Sequence, residues 1–570
     1  MRLPLAVLAV VITAVLSLSC WWWFNRPVPV GLTFNEPFPS VSFASFRRGQ
    51  SPISGDYPPA VQVEEDLKSL IGVTRGVRTY TSREGMDVLP GLARKYGFEV
   101  THSAWLGKKA DINAKEVANL IKSANANPDV IKRVIVGNEV LLRQDLTPEQ
   151  LIAYIRQVKA AVKQPVSYAD VWAFYLRYPQ VADEVDYLTI HILPYWEDEP
   201  VGVDQAAEHI VKIYHMIQDR FPGKTILIGE AGWPTRGRNR GPAAVNMENA
   251  AKFVRTLAQV SKQHGFDYNV VEAFDQPWKA KLEGTVGAFW GVVDSQRDVK
   301  FTMSGPVQAN QKWLIHGLIS VLLGAGAALV FLRRAQAYSR GRILLLAGFA
   351  QLLAALVVWQ GLNAWWIAYS FNQDLWAVAR IALQAIFAAL IFKAAGESLR
   401  AGEAMGLSRW GERLGIIYAA CAWAASMLLL FNGRYRDIPN LEFLVPCLGL
   451  STWGLIRLLV LGHDWKRAFA IGHLFSGAVP AQLGPAREMT IGLWLAVIAG
   501  PLSEAVALYM GEDFQAMHPD LDQQIPMLAA IAVANGEMLV WALMVLVMSI
   551  PYLAEWRLAK TEQGAAVTAS

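Results

Sequence analysis

Hydrophobic and polar positions divide the chain into three stretches of different texture. After Met1-Arg2 no charged residue appears until Arg26, and the run LPLAVLAVVITAVLSLSC ends in Trp21-Trp22-Trp23. A helix of this length crosses a hydrocarbon core of about 30 Å, and tryptophans at one end suit the membrane interface. The absence of a small-x-small cleavage site favours an uncleaved signal anchor over a removed signal peptide. From Asn25 to about Gln311 the pattern is mixed and polar. Long uncharged runs then return and predict seven further spans, at 313–332, 343–361, 375–392, 414–432, 441–461, 490–510 and 526–552. The expected division is an anchor over 1–24, a polar domain over 25–308 and a membrane bundle of about seven helices over 309–570.

Within the polar stretch, short apolar runs alternate with amphipathic ones. The strand-like segments are 31–36 (GLTFNE), 76–82, 98–107, 134–142, 165–172, 186–196, 225–234 and 270–279. Helical periodicity marks VQVEEDLKSLIG, NAKEVANLIKSA after Asp111, TPEQLIAYIRQVKAAV with Thr147 as N-cap, and a segment closing on Gly265. Alternating, largely buried strands and helices predict an α/β fold with a parallel sheet. Eight strands in about 280 residues fit a (β/α)8 TIM barrel, typically about 250 residues, followed by the all-α polytopic transmembrane bundle. An open doubly wound sheet is the alternative, weakened because no strand is followed by G-x-G-x-x-G.

Composition agrees with a membrane protein carrying a polar part: 53% of residues are hydrophobic and only 18% charged, with mean hydropathy +0.26. Disorder and nucleic-acid binding are both disfavoured. Cys20, Cys421 and Cys447 lie in or beside apolar runs and offer neither a disulfide framework nor a zinc site. Basic residues set the orientation. Arg333, Arg334, Arg340, Arg342, Lys393, Arg400, Arg409, Arg413, Lys466, Arg467 and Arg487 fall in alternate loops with Arg2, whereas 363–374 has no Lys or Arg and GEDFQAMHPDLD is acidic. The polar domain is thus expected outside the cytoplasm; only Arg434 and Arg436 run against the pattern. Arg380, Arg457, Glu504 and Glu537 fall within or near spans; Arg457 is expected to snorkel inward, and Glu504 and Glu537 sit at different depths.

A barrel carries its chemistry at the C-terminal strand ends. There stand Asn138 and Glu139 on the fourth strand and Glu230 on the seventh. With them are Tyr80 (second), Trp105 (third), Asp170 and Trp172 (fifth), His191, Tyr195 and Trp196 (sixth), and Gln276 and Trp278 (eighth). Two carboxylates among aromatics and neutral hydrogen-bonding groups, without a phosphate loop or a metal cluster, fit sugar chemistry. Strands four and seven face each other across an eight-membered ring. Retaining glycosidases need carboxyl groups about 5–5.5 Å apart, one nucleophile and one acid then base. No cofactor or metal is called for.

These residues resemble a known family. VIVGNEV (134–140) with ILIGEAGWP (226–234) is similar to the signature of glycoside hydrolase family 17, the β-1,3-glucanase family. SYADVW (167–172), HILPYWED (191–198) and EAFDQPWK (272–279) support it, and the resemblance covers about residues 28–305. It implies a barrel with Glu139 as acid/base, Glu230 as nucleophile and Asn138 near the substrate 2-hydroxyl. The bacterial membrane-bound branch looks nearest. It includes β-1,3-glucan glucosyltransferases that elongate or branch chains, and a rhizobial member associated with β-1,6 linkages in periplasmic cyclic glucans. The expectation is therefore a retaining β-glucan transglycosylase of the bacterial inner membrane, multi-pass, with its barrel in the periplasm. Its partners would be β-glucan donors and acceptors, the lipid bilayer and a membrane glucan synthase, with no nucleic acid.

Other readings stay open. One is a β-1,3-glucan hydrolase; another is a non-catalytic glucan-binding subunit of a synthesis assembly, against which the carboxylate pair speaks. A nucleotide-sugar synthase lacks its Asp-rich domain and Gln-x-x-Arg-Trp motif. Glu272, expected mid-strand, is read as a binding or structural partner. Glu197, Asp198 and Glu199, and Arg236, Arg238 and Arg240, are read as solvated loops.

Overall fold

The alternation of strand and helix between residues 27 and 309 closes, in a computed structural model of the protein, into an eight-stranded parallel barrel. The structure describes residues 2–401, 409–431, 433–475 and 486–569. Two units are distinguished: Pro27–Ala309, and Met1–Arg26 with Asn310–Ser570.

In the first unit the strands run in chain order around the ring: β1 Val41–Ser42, β2 Gly76–Arg78, β3 Glu99–Ala104, β4 Ile131–Asn138, β5 Val166–Val171, β6 Tyr187–His191, β7 Thr225–Ala231 and β8 Asp267–Val270. Val41 closes the ring, pairing with Val77 on one side and Val270 on the other. Ile131, Val134, Ile135, Val136, Leu188, Ile190 and Ile228 are completely buried, as staves covered on both faces require. This apolar interior, covered by helices, holds the strand ends rigidly.

Six of the eight predicted strands coincide with observed ones; the first and last differ. Segment 31–36 is not a stave: Phe34 donates its N–H to Met303 O (2.9 Å), and Val28 bridges Val307, so this stretch pairs with the chain's exit from the unit. The first stave comes from VSFASF, where Val41 and Phe43 are buried. The last strand ends at Val270, where the 270–279 prediction began. Residues 271–276 stay buried beyond it, with Ala273 donating to Ser42 O (2.9 Å) and Phe274 bridging Val293.

The helices follow their periodicity: α1 Ala60–Ser69, α2 Leu89–Tyr96, α3 Ala110–Ala126, α4 Pro148–Lys159, α5 Val203–Arg220 and α6 Met247–His264 alternate with the strands. Thr147 caps α4 with a capping box, accepting from Gln150 N–H while Gln150 Oε1 accepts from Thr147 N–H (2.9 Å). Gly265 ends α6 in the left-handed region, φ +70°.

In the second unit, eight helices among the described residues are long and apolar enough to cross a membrane: Pro4–Phe24, Trp313–Leu332, Arg340–Trp366, Phe371–Arg400, Trp410–Leu429, Leu441–Leu459, Ala486–Tyr509 and Gly536–Glu562. The 414–432 span is thus shifted towards the N-terminus, and its last expected residue, Asn432, lies outside the described residues. The expected span at 526–552 is broken. Leu521–Ala534 ends at Asn535, whose buried Oδ1 accepts from the N–H groups of Glu537 (3.1 Å) and Met538 (3.2 Å) and so starts a new helix. Three of the charged groups singled out in this unit find internal partners. Arg380 pairs with Glu442 at 3.3 Å, and Glu504 accepts from Asn535 Nδ2 at 3.1 Å. Arg457 does not snorkel; it is buried beside the Trp453 ring and donates to Arg467 O (3.1 Å).

Thr147→Ala removes one side of the α4 capping box, which stabilises by about 1 kcal/mol. Amide exchange across 148–159 should therefore quicken severalfold, as hydrogen–deuterium exchange would record.

Candidate active site

Strand β4 does not simply stop at its C-terminal end; Gly137 (φ +87°) and Glu139 (φ +52°) both take left-handed conformations. A Cβ on Gly137 would meet Val140 Cγ2 at 2.7 Å, so only glycine fits there. For Glu139 the conformation costs about 1–3 kcal/mol and persists because its surroundings dictate it. Its N–H donates to Ala169 O (2.7 Å), and its carbonyl accepts from Arg143 N–H (2.9 Å). The Arg143 guanidinium donates to the carbonyls of Asn138 and Leu106. The Tyr168 hydroxyl accepts from Leu141 N–H (2.9 Å) and donates to Asp170.

Strands β6 and β7 bring the other half of the site. His191 is in register with Glu230. Its Nδ1 lies 2.9 Å from Glu139 Oε1, and its Nε2 lies 3.6 Å from Glu230 Oε1. One side-chain ligand atom from each of Glu139, His191 and Glu230 lies within 4.8 Å of the others. The two glutamates from opposite staves therefore meet at one mouth. Glu230 is 7% exposed, while the Glu139 side chain is 24% exposed.

A residue that sequence reasoning passed over ties this group together. Arg78, at the end of β2, is completely buried. Its Nη1 donates to Gly229 O (2.6 Å) and to Glu230 Oε1 (3.3 Å), and its Nη2 donates to Asn138 Oδ1 (2.6 Å) and approaches His191 Nε2 at 3.4 Å. Gly229 makes room for it: a Cβ there would overlap Thr189 Cγ2 and come within 3.3 Å of Arg78 Nη1. An arginine inside an otherwise apolar stave was the available signal. Glu139, His191 and Glu230 could gather around a metal ion, but Arg78 already sets a positive charge among them, and a divalent cation would be repelled by it.

The Tyr80 hydroxyl donates to Glu230 Oε1 (2.9 Å), and burial and the Glu230 charge hold its pKa well above the ordinary value. Burial also works to raise Glu139. The hydrogen bond from His191 and the charges of Arg143 and Arg78 outweigh it and hold the carboxyl below the usual glutamate value. Asp170 is pushed up to about 7, by burial first and by the Glu139 charge second. A second charged group follows β8. Glu272 lies beyond the strand and is fully buried, with Lys279 Nζ 3.0 and 3.1 Å from its two oxygens. Burial raises Glu272 to about 7, and burial likewise raises Glu283, beside Lys279, to about 7. Lys279 and Glu283 were not anticipated from the sequence.

The predicted aromatic and polar residues divide. Trp105 stands 38% exposed, with the Arg143 guanidinium 4.2 Å from its ring centre. Trp172, Trp196 and Trp278 are partly exposed at strand ends. Trp172 donates to Glu197 (3.2 Å), Trp196 stacks on Trp290 at 6.3 Å, and Trp278 donates to Gln276 Oε1 (3.0 Å). Tyr195, Gln276 and Asp170 have no exposed surface for a sugar. The Tyr195 hydroxyl supports Arg238 O, Gln276 bridges Ala44 O and Trp278, and Asp170 braces the turn after Glu139. The loop after β7 is not solvated as expected: Arg238 and Arg240 are buried, with Arg240 donating to Tyr195 O and lying over Trp196.

Residues 44–291 match the family model described as the BtgE/BtgC glycoside hydrolase domain. A glucan 1,3-beta-glucosidase of Arthroderma benhamiae is 30% identical over 46% of this chain and 92% of its own length. The chain belongs to glycoside hydrolase family 17. A glucan 1,3-beta-glucosidase of Schizosaccharomyces pombe is 26% identical over 42% of this chain and 79% of its own. Among solved structures, a family 17 β-1,3-glucanosyltransferase from Rhizomucor miehei aligns with 29% identity over 47% of this chain and 98% of that one, at a TM-score of 0.42. The match to that family model spans 44–291 and so lies between the helix ending at Phe24 and those that begin at Trp313.

A carboxyl whose folded pKa is raised stabilises the fold while protonated. Asp170 thus contributes fully below the unfolded value of about 3.9 and loses that contribution as pH rises through about 7. Asp170→Asn should flatten this decline, and calorimetry of both proteins between pH 4 and 7.5 would show it.

Proposed function

We propose that the protein is a membrane-anchored retaining β-glucan transglycosylase, with Glu230 as nucleophile and Glu139 as acid/base. The observation that carries this reading is the approach of the two carboxylates to within 4.8 Å, close to the separation of about 5–5.5 Å that double displacement uses. Glu230 receives hydrogen bonds from Arg78 and Tyr80, which hold one oxygen and suit an ionised nucleophile. Its carboxylate attacks the anomeric carbon while Glu139 gives its proton to the departing glycosidic oxygen. A glucan hydroxyl then attacks the glucosyl ester, losing its proton to Glu139 and releasing Glu230. Glu139 must be protonated at the first step. A glycan that covers its exposed part deepens the burial that already works to raise its pKa.

The relatives' names, glucan 1,3-beta-glucosidase, point to β-1,3-glucan as donor. Trp105 favours transfer over hydrolysis. Its exposed ring lies beside Arg143, which braces the turn carrying Glu139, and an acceptor sugar would stack on it. Acceptor sugars stacked there exclude water; elongation or branching, including β-1,6 linkage, follows from which hydroxyl is presented. The apolar helices, with basic residues in alternate loops, support an inner-membrane anchor and a periplasmic barrel. Anchoring there suits a glucan synthase delivering chains across the same membrane.

Purified protein incubated with defined β-1,3-gluco-oligosaccharides should give longer or branched products, resolved by mass and linkage. Shorter products alone would mean hydrolysis, and no turnover with retained binding would mean a glucan receptor. Glu230→Gln and Glu139→Gln should each lower kcat by at least about a hundredfold on these substrates. A reporter fused after residue 300 should be active outside the cytosol only; activity inside would reverse the orientation.

A further inference from the structure

We infer that His191 is a positioning residue that decides which oxygen of Glu139 carries the catalytic proton. The inference rests on Glu139 being the acid/base and deepens that reading. It begins with Arg78, whose guanidinium offers donors and no acceptor. Arg78 Nη2 lies 3.4 Å from His191 Nε2. That nitrogen therefore presents its lone pair, and the ring proton sits on Nδ1. Nδ1–H points at Glu139 Oε1, 2.9 Å away. Oε1 is thus an acceptor, and the proton given to the glycosidic oxygen belongs on Oε2.

Nε2 lies 3.6 Å from Glu230 Oε1, beyond hydrogen-bonding distance, so Arg78 is its nearer partner. The ring is 1% exposed, and a half-turn about its Cβ–Cγ bond would take both nitrogens away from these partners. The charged groups facing this pair come from every side: Arg78 from β2, Arg143 from the turn after β4, Asp170 from β5, Glu230 from β7, and Lys279 with Glu283 from the segment after β8. Of these, Arg78 meets His191 on the nitrogen opposite Glu139. The same arrangement serves both steps. When the acceptor hydroxyl gives up its proton, Oε1 remains engaged by Nδ1–H and Oε2 receives it.

The hydrogen bond from His191 favours the ionised form of Glu139, so its removal makes Glu139 hold its proton to higher pH. In His191→Ala the alkaline limb of kcat/KM on β-1,3-gluco-oligosaccharides should move up by about one pH unit, with a fall in maximal rate. An aryl β-glucoside whose phenol leaves without protonation should lose at least about tenfold less rate than the oligosaccharide. His191→Asn keeps an N–H donor in that place and should bring the alkaline limb back towards its original position. A fall in rate with an unmoved alkaline limb and equal loss on both substrates would overturn the inference and mark His191 as merely structural. Glu139→Gln separates the two levels: full activity in that variant removes the acid/base reading itself, whereas its inactivity beside an unmoved His191→Ala profile removes only the inference.

Discussion

The site depends on one buried cation. Arg78 lies wholly inside the barrel's mouth, and an arginine in so dry a place persists only when its donors are occupied and its charge is matched. Glu230 matches the charge and, with Gly229 O and Asn138, engages Nη1 and Nη2, while His191 turns its Nε2 towards Nη2; Nε alone is left without a partner among the described residues. The ends of β2, β4, β6 and β7 are thereby tied to one rigid planar group. Two acidic side chains can approach each other because this positive charge lies beside them; without it, their repulsion in a low-dielectric cleft would push one towards neutrality.

The rest of the barrel serves that arrangement through the backbone. Residues on β4 and β7 could not face each other at the required separation if both strands ended flat. The left-handed turn at Gly137 and Glu139 rolls the chain over, and Tyr168, Asp170 and Arg143 brace it from behind. Glycine at 229 leaves room for the guanidinium. Asp170 and Tyr195, which look like substrate contacts in the sequence, are supports one layer behind the cleft, and the exposed aromatic surface is left to the tryptophans. In the helical unit Arg380 pairs with Glu442, Arg457 donates to a backbone carbonyl and Glu504 accepts from the Asn535 amide.

How much could be read beforehand varied with the kind of signal. Strands β2 to β7 were legible because a stave covered on both faces must be an apolar run, and turns or helices punctuate such runs. The first and last strands were misplaced, since β1 has only two residues in ladder pairing while the alternation at 31–36 is satisfied by the exit segment instead. In the helical unit, the Asn535-Gly536 break lay within a strongly apolar run, where hydropathy conceals a turn signal. Glu139 and Glu230 were legible as acids at the ends of apolar strands. Arg78 was less legible because an arginine at the end of a three-residue strand ordinarily reaches solvent, and Lys279 and Glu283 were not legible because charges after a strand ordinarily face water.

The amino-acid sequence alone determined the barrel, the apolar helices and the identity of the acidic pair, because periodicity and burial are written residue by residue. Tertiary structure decided which side chains reach the pair and which stand behind it. Tyr195 and Trp105 are both aromatics after strands, yet one is sealed beneath a loop and the other faces outward. It also decided the tautomer of His191, since that depends on an arginine 113 positions away in the chain. Solvation and charge are properties of neighbourhoods in space, and only closure of the ring brings those neighbours together.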